Sequence, residues 1–166
     1  HQLNRNLGRI AQHGNGLLSR YRPTEISEHK LPGVVPGRGA LLVRYGHGEQ
    51  SLVVIMLHLA LSPRARMRQL GYIAELVSQY RHVVVMGDMN CAPDSAEMAM
   101  LFRTTHLHEP LEELCTFPSW RPERHIDHIL VSSELKVVHC SVLNHAHSDH
   151  LPIAMEVELP SDVVLG

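Results

Sequence analysis

Four places in this chain set chemically capable side chains where an apolar run gives out. They are His58 in Leu57-His58-Leu59, Asp88 and Asn90 in Gly87-Asp88-Met89-Asn90, Asp127 and His128 in Ile126-Asp127-His128-Ile129, and Ser148-Asp149-His150-Leu151-Pro152. Aspartate and asparagine present hard oxygens, so Asp88 with Asn90 suits a Mg2+-type cation or a phosphate better than a soft metal. An aspartate beside a histidine fixes the ring's tautomer and favours its charged form, which suits contact with an anion. Each place has a plainer reading as well. His58 alone reads as a core histidine with satisfied ring nitrogens, and Asp88 as the start of an Asx turn into Pro93. Four such places on different strands call for a shared explanation, because each polar group flanked by apolar residues is costly to bury without a partner.

The elements that must position these groups follow from patterning. Val83–Met86 is a short β-branched strand. If it stays extended, Asp88 and Asn90 point to the same side, at the end where a sheet hands its chain to a loop. Residues 1–14 read as an irregular lead-in and Asn15–Tyr21 as a short strand closed by Arg22-Pro23. Residues 24–37 read as a Pro/Gly-containing loop. Ala40–Tyr45 and Leu52–Leu59 are strands joined through Gly46-His47-Gly48-Glu49, a hairpin signal. Ser62-Pro63 opens a helix over about 64–80, with Met67, Leu70, Ala74 and Val77 as its apolar stripe and Arg64, Arg66 and Arg68 on a solvated face. A second helix over 95–102 has Asp94 or Ser95 as N-cap, with Met98 and Leu101 inward. Residues 103–125 read as loop. Strands over 126–131, 136–143 and 153–159 follow, then a tail over 160–166. Strands dominate and helices follow them, a pattern of α/β architecture with helices covering a sheet.

Composition sets limits. The 166 residues make one domain over 1–166, and the formal charge of −2 announces no basic field for nucleic acid. No apolar run approaches the ~18 residues of a transmembrane helix. Cys91, Cys115 and Cys140 are odd in number and lack CxxC spacing, which disfavours a disulfide framework or a thiolate zinc site and suits a reducing, cytoplasmic setting. With 14 histidines in the chain, an isolated one carries little weight. A zinc site built from His139, His145, His147 and His150 matches no standard spacing. The chain opens on His1 rather than Met, so an upstream segment is expected to have been removed or left out.

Taken in order, His58, Gly87-Asp88-x-Asn90, Ile126-Asp127-His128-Ile129 and Ser148-Asp149-His150-x-Pro152 resemble the endonuclease/exonuclease/phosphatase superfamily. Asn15-Gly16-Leu17-Leu18-Ser19-Arg20-Tyr21 also resembles that family's GNAILSR strand. The resemblance implies a four-layer α/β/β/α sandwich, DNase I-like, with the site at the top of two sheets. It implies that Asp88 orients or deprotonates the attacking water and that Asn90 bonds a non-bridging phosphate oxygen. Asp149, with Asp88 and Asn90, would bind Mg2+ or Mn2+. His150 would contact phosphate or transfer a proton, Asp127 would hold its ring, and His58 would be a second phosphate-side histidine. The implied reaction is hydrolysis of a phosphodiester or phosphomonoester, with water attacking phosphorus.

The family's N-terminal portion carries an asparagine-bearing strand and then a strand ending in a metal-binding glutamate. Neither is found in this sequence; Glu25 and Glu28 lie beyond the GNAILSR-like strand and do not fit. The expectation is a chain lacking those N-terminal strands, a fragment of a longer protein. The chain alone would then be short of its metal-binding glutamate. Trp120, Arg121 and Arg124, just before Asp127, are candidates to meet substrate at the rim, Trp by stacking and Arg by pairing with phosphate. Nucleic acid, phosphoinositide, sphingolipid and small phosphoesters all remain open as substrates, as does oligomeric state. The alternative is a non-catalytic binding module on the same fold.

Overall fold

A computed structural model describes residues 2–7, 11–33, 38–110 and 114–165, with side chains from Gly14 onward. In chain order the elements begin with strands β1 (Gln2–Leu7), β2 (Ala11–Asn15), β3 (Glu25–Lys30), β4 (Gly39–Tyr45) and β5 (Leu52–His58). Helix α1 (Pro63–Val77), strand β6 (His82–Asp88) and helix α2 (Ala96–Thr104) follow. Strands β7 (Leu107–His108), β8 (Asp127–Ser132), β9 (Lys136–Val142) and β10 (Ile153–Glu158) complete the chain.

Six strands form one sheet in the order β3-β4-β5-β6-β8-β7. Only β5 and β6 pair in parallel, and the crossover between them is α1. Side-chain alternation sorts the sheet into two faces. Leu42, Val53, Ile55, Val83, Val85 and Leu130 pack with Leu70, Ile73 and Val77 of α1 and with Met98 and Leu101 of α2. Leu41, Val43, Val54 and Met56 point the other way, as do Val84, Ile129 and Val131, which meet Val137, Ile153, Met155 and Val157 of the β9–β10 hairpin. The β1–β2 hairpin is tied to the same sheet: the Asn15 side-chain amide donates to Gly39 O at 3.0 Å and to Met56 O at 3.3 Å. The described residues thus stack as helices, a central sheet, and a second β-layer of two hairpins.

Several expectations change. The lead-in over 1–14 contains β1 and most of β2, an alternately polar hairpin whose sequence carries no apolar face to announce it. The strand expected over Asn15–Tyr21 ends at Asn15, where the side chain turns to the sheet; residues 16–24 run without strand pairing. The loop expected over 24–37 includes β3, an edge strand too exposed to show a buried stripe, while its last four residues lie outside the described ones. In α1, Met67 faces outward and Arg66 is buried. The Arg66 guanidinium pairs with Glu97 of α2 at 2.8 Å and donates to Leu61 O at 2.5 Å, so a charge expected on the solvated face is buried instead. Gln69 is buried too, accepting the Ala60 N–H at 2.8 Å. The helix caps fall as expected, with Ser62 accepting from Ala65 N and Ser95 from Met98 N. All three cysteines are free. No helix of the described residues is long and apolar enough to cross a membrane.

Candidate active site

Sheet register gathers the first three side chains. His58 at the end of β5 pairs with Asp88 at the end of β6, and Asp88 pairs with Asp127 at the start of β8. Residues directly opposite on neighbouring strands point to the same side, so one rung carries all three on the face opposite the helices. The His58 Nε2 lies 3.3 Å from Asp88 Oδ2. His150 enters from the loop before β10 in the second layer, and its Nδ1 sits 2.6 Å from Asp127 Oδ2. One ligand atom from each of Asp88, Asp127 and His150 lies within 4.8 Å of the others.

Gly87 makes the rung possible. Its φ is +138°, and a Cβ there would stand 1.9 Å from Leu57 O on β5. Past Asp88 the strand stops: Asn90 adopts φ +53°, and its backbone N–H donates to Asp88 Oδ1 at 2.8 Å. The extended geometry expected through Asn90 is therefore replaced by an Asx turn, with Asn90 Nδ2 donating to Leu59 O at 3.0 Å. Asp88 holds two roles together, turn acceptor and site carboxylate.

Electrostatics at the rung favour neutral forms. Burial pushes the Asp88 carboxyl above the usual carboxylate range, against the opposing pull of the Asn90 N–H. Burial, with help from the nearby Arg38 guanidinium, pulls His58 below the usual imidazole value. Burial thus works against charge on both partners of the His58–Asp88 contact. Two carboxylates so close also repel each other, an arrangement that a cation would relieve.

The site has a stitched rim. Thr116, fully buried, donates its hydroxyl to the Asp127 oxygen that receives His150. Ser119 N–H donates to Asp149 O at 2.8 Å, and Leu151 N–H to Thr116 O at 2.9 Å, binding the 116–120 loop to the 148–151 loop. The Phe117 ring lies 4.8 Å from the His150 ring, and the Arg124 guanidinium sits over the Phe117 ring at 5.4 Å. Trp120 is three-quarters exposed, and Arg121 pairs with Glu123 at 2.7 Å. Asp149 is exposed beside His150, its Oδ1 accepting from Ser148 at 3.2 Å, and it stands outside the three-ligand group.

Sequence reasoning missed one buried cluster directly behind the rung. His128, the next residue after Asp127, points to the helix side, donates through Nδ1 to Glu109 Oε1 at 2.8 Å and sets Nε2 2.9 Å from Cys91 O. His125 stacks on it at 4.6 Å and also donates to Glu109 Oε1, at 3.1 Å. Burial works against charge on Glu109, but the hydrogen bonds from His125 and His128 outweigh it and hold the carboxyl below its usual range. Three donor atoms converge here as they would on a metal. The Leu114 N–H, however, donates to His125 Nδ1 at 3.3 Å, which leaves the ring proton on Nε2, aimed at Glu109. The cluster is closed by its own protons. Strand alternation could have placed His128 on this face, but nothing in the sequence marks Glu109 as its partner. The set His139, His145, His147 and His150 does not converge: His145 and His147 stack on each other, exposed, while His150 joins Asp127.

Comparison with known proteins agrees with this geometry. The model of the endonuclease/exonuclease/phosphatase family matches residues 3–150. No curated protein sequence matches the chain. Among solved structures it is similar to a mannosyl-6-phosphatase of Bacteroides thetaiotaomicron, with 18% identity, TM-score 0.71, and coverage of 83% of this chain and 67% of that one. An endonuclease/exonuclease/phosphatase of Beutenbergia cavernae gives 22%, 0.69, and coverage of 85% and 46%. The human Nocturnin catalytic domain with bound sulfate gives 18%, 0.69, and coverage of 85% and 61%. The chain spans about two thirds or less of the length of these structures. With the pattern running through nearly the whole sequence and the α/β fold shared, the chain belongs to the endonuclease/exonuclease/phosphatase family.

Proposed function

We propose that the rung and His150 form the hydrolytic centre of a phosphoesterase that uses Mg2+ or Mn2+. The observation that carries this reading is the convergence of Asp88, Asp127 and His150 within 4.8 Å, with His58 on Asp88. The donor set fits a hard divalent cation, being rich in carboxylate oxygen and free of thiolate. Asp88 would hold the ion, with Asn90 and Asp149 as the further oxygen donors this reading assigns, and the ion when bound neutralises phosphate oxygens and polarises the phosphorus centre.

The chain's own groups supply the rest. Asp88, poorly solvated and next to His58, orients water for attack on phosphorus and takes up its proton. Asp127 accepts from Nδ1 of His150 and so leaves Nε2 to face the phosphate or the leaving oxygen. The Asn90 side-chain amide adds a donor without adding negative charge. Trp120 and Arg124 stand at the rim, where stacking and pairing would meet the remainder of the substrate.

The test is hydrolysis of bis-p-nitrophenyl phosphate and p-nitrophenyl phosphate with Mg2+, with Mn2+ and with chelator. Turnover is expected only with the divalent ion. Asp88→Ala and His150→Ala should each lower it by about a hundredfold or more. A loss of less than tenfold in both variants would sink the assignment. The same outcome follows if chelator leaves the rate unchanged.

A further inference from the structure

Past the end of β5 lies a second opening that the hydrolytic reading does not use. It is a cavity of about 530 Å³ whose lining includes Arg38, Arg64 and Arg68, with Ala60, Leu61 and Ala65 as apolar surface. A volume of this size holds a small ligand or a nucleotide-sized portion of a larger one. Arg44, Arg66, Arg81 and Arg121 all have carboxylate partners. Arg38, Arg64 and Arg68 have none among the described residues.

This cavity adjoins the rung through the chain itself. Ala60 comes two residues after His58, and its N–H is held by Gln69, which also lines the cavity. The carbonyl of Leu59 receives the Asn90 amide. Arg38, which lines the cavity, lies within electrostatic reach of His58. Three uncompensated guanidinium groups around an apolar floor suit an anion attached to an organic body, and the 58–60 segment joins the cavity to the strand end that carries His58.

We propose that this cavity is a second anion subsite, receiving a phosphate of the substrate next to the one attacked, so that preferred substrates carry at least two phosphates. The inference rests on the hydrolytic reading for the identity of the first phosphate. Arg64 and Arg68 are exposed on α1, so their replacement leaves the core untouched.

Calorimetric titration of the full chain in magnesium buffer compares thymidine 3′,5′-bisphosphate with thymidine 5′-monophosphate. The bisphosphate is expected to bind about tenfold tighter or better. In Arg64→Gln/Arg68→Gln that preference should vanish while monophosphate affinity holds, and Arg64→Lys/Arg68→Lys should restore much of it. Fructose 1,6-bisphosphate in the same titration tells whether the second phosphate must ride on a nucleoside; preference for either bisphosphate supports the subsite. Equal affinity of both thymidine ligands in the unmodified chain, with fructose 1,6-bisphosphate binding no tighter than the monophosphate, overturns it, as does a preference that survives Arg64→Gln/Arg68→Gln. Arginine-dependent preference without metal-dependent hydrolysis would retain the subsite and remove the hydrolytic reading. Hydrolysis without preference would do the reverse.

Discussion

Asp88 is asked to ionise where the fold resists it. Its folded carboxyl titrates above the ordinary range because of burial. Stability should therefore fall as pH rises from the unfolded value through the raised folded one, because the native state keeps its proton longer. Asp88→Asn is expected to raise Tm by a few degrees at neutral pH without divalent cation, while abolishing hydrolysis. Thermal melts beside rate measurements check both halves, and a lower Tm would contradict the stated electrostatics. Glu109 runs the opposite way. Its carboxyl is depressed, so its stabilisation is present above the unfolded value and disappears as acid titrates it through the lowered one. Glu109→Ala should cost about 2–3 kcal/mol at neutral pH, because His125 and His128 lose the buried acceptor they share. The variant should lose less on acidification than the parent, which denaturant titrations at two pH values would reveal.

Among the elements, the parallel pair β5–β6 sets the tolerance of the site. Gly87 has no room for a methyl group against Leu57 O and a backbone that other residues avoid. Gly87→Ala is expected to destabilise the fold by about 3 kcal/mol or more, through displacement of β6 from β5. Chemical denaturation gives the value, and unaltered stability would show that the two strands separate easily. The same elements show what was legible in the sequence. Strands with an apolar stripe were readable from alternation, and α1 and α2 from period and caps. Edge strand β3 was not, because it is largely exposed, and the β1–β2 hairpin was not, because its sequence shows no apolar alternation to mark the pairing. Arg66 was read as solvated because its partner Glu97 lies 31 residues away on another helix. Of the site, His58, Asp88, Asp127 and His150 were found by type and position. Thr116 and Glu109 were not, since they come from loops whose placement depends on the finished fold.

At the scale of the whole molecule, the site joins two layers: three side chains from the central sheet and one from the loop that connects β9 to β10. An ion held between them would bind the folded chain alone and so raise its stability. Millimolar Mg2+ or Mn2+ should therefore increase Tm in the parent and not in Asp88→Ala, with differential scanning fluorimetry as the measure. An equal rise in both would place the ion elsewhere. The alignment of His58, Asp88 and Asp127 along one rung carries a final consequence. If β8 were to zip up one position out of step, His128 would replace Asp127 in the triad, and a carboxylate would be driven in among the aliphatic side chains under the helices. Ion binding and correct zippering are then the same event seen from two sides. A chain that has paired its strands wrongly is excluded from the ligand that would otherwise lock the error in place.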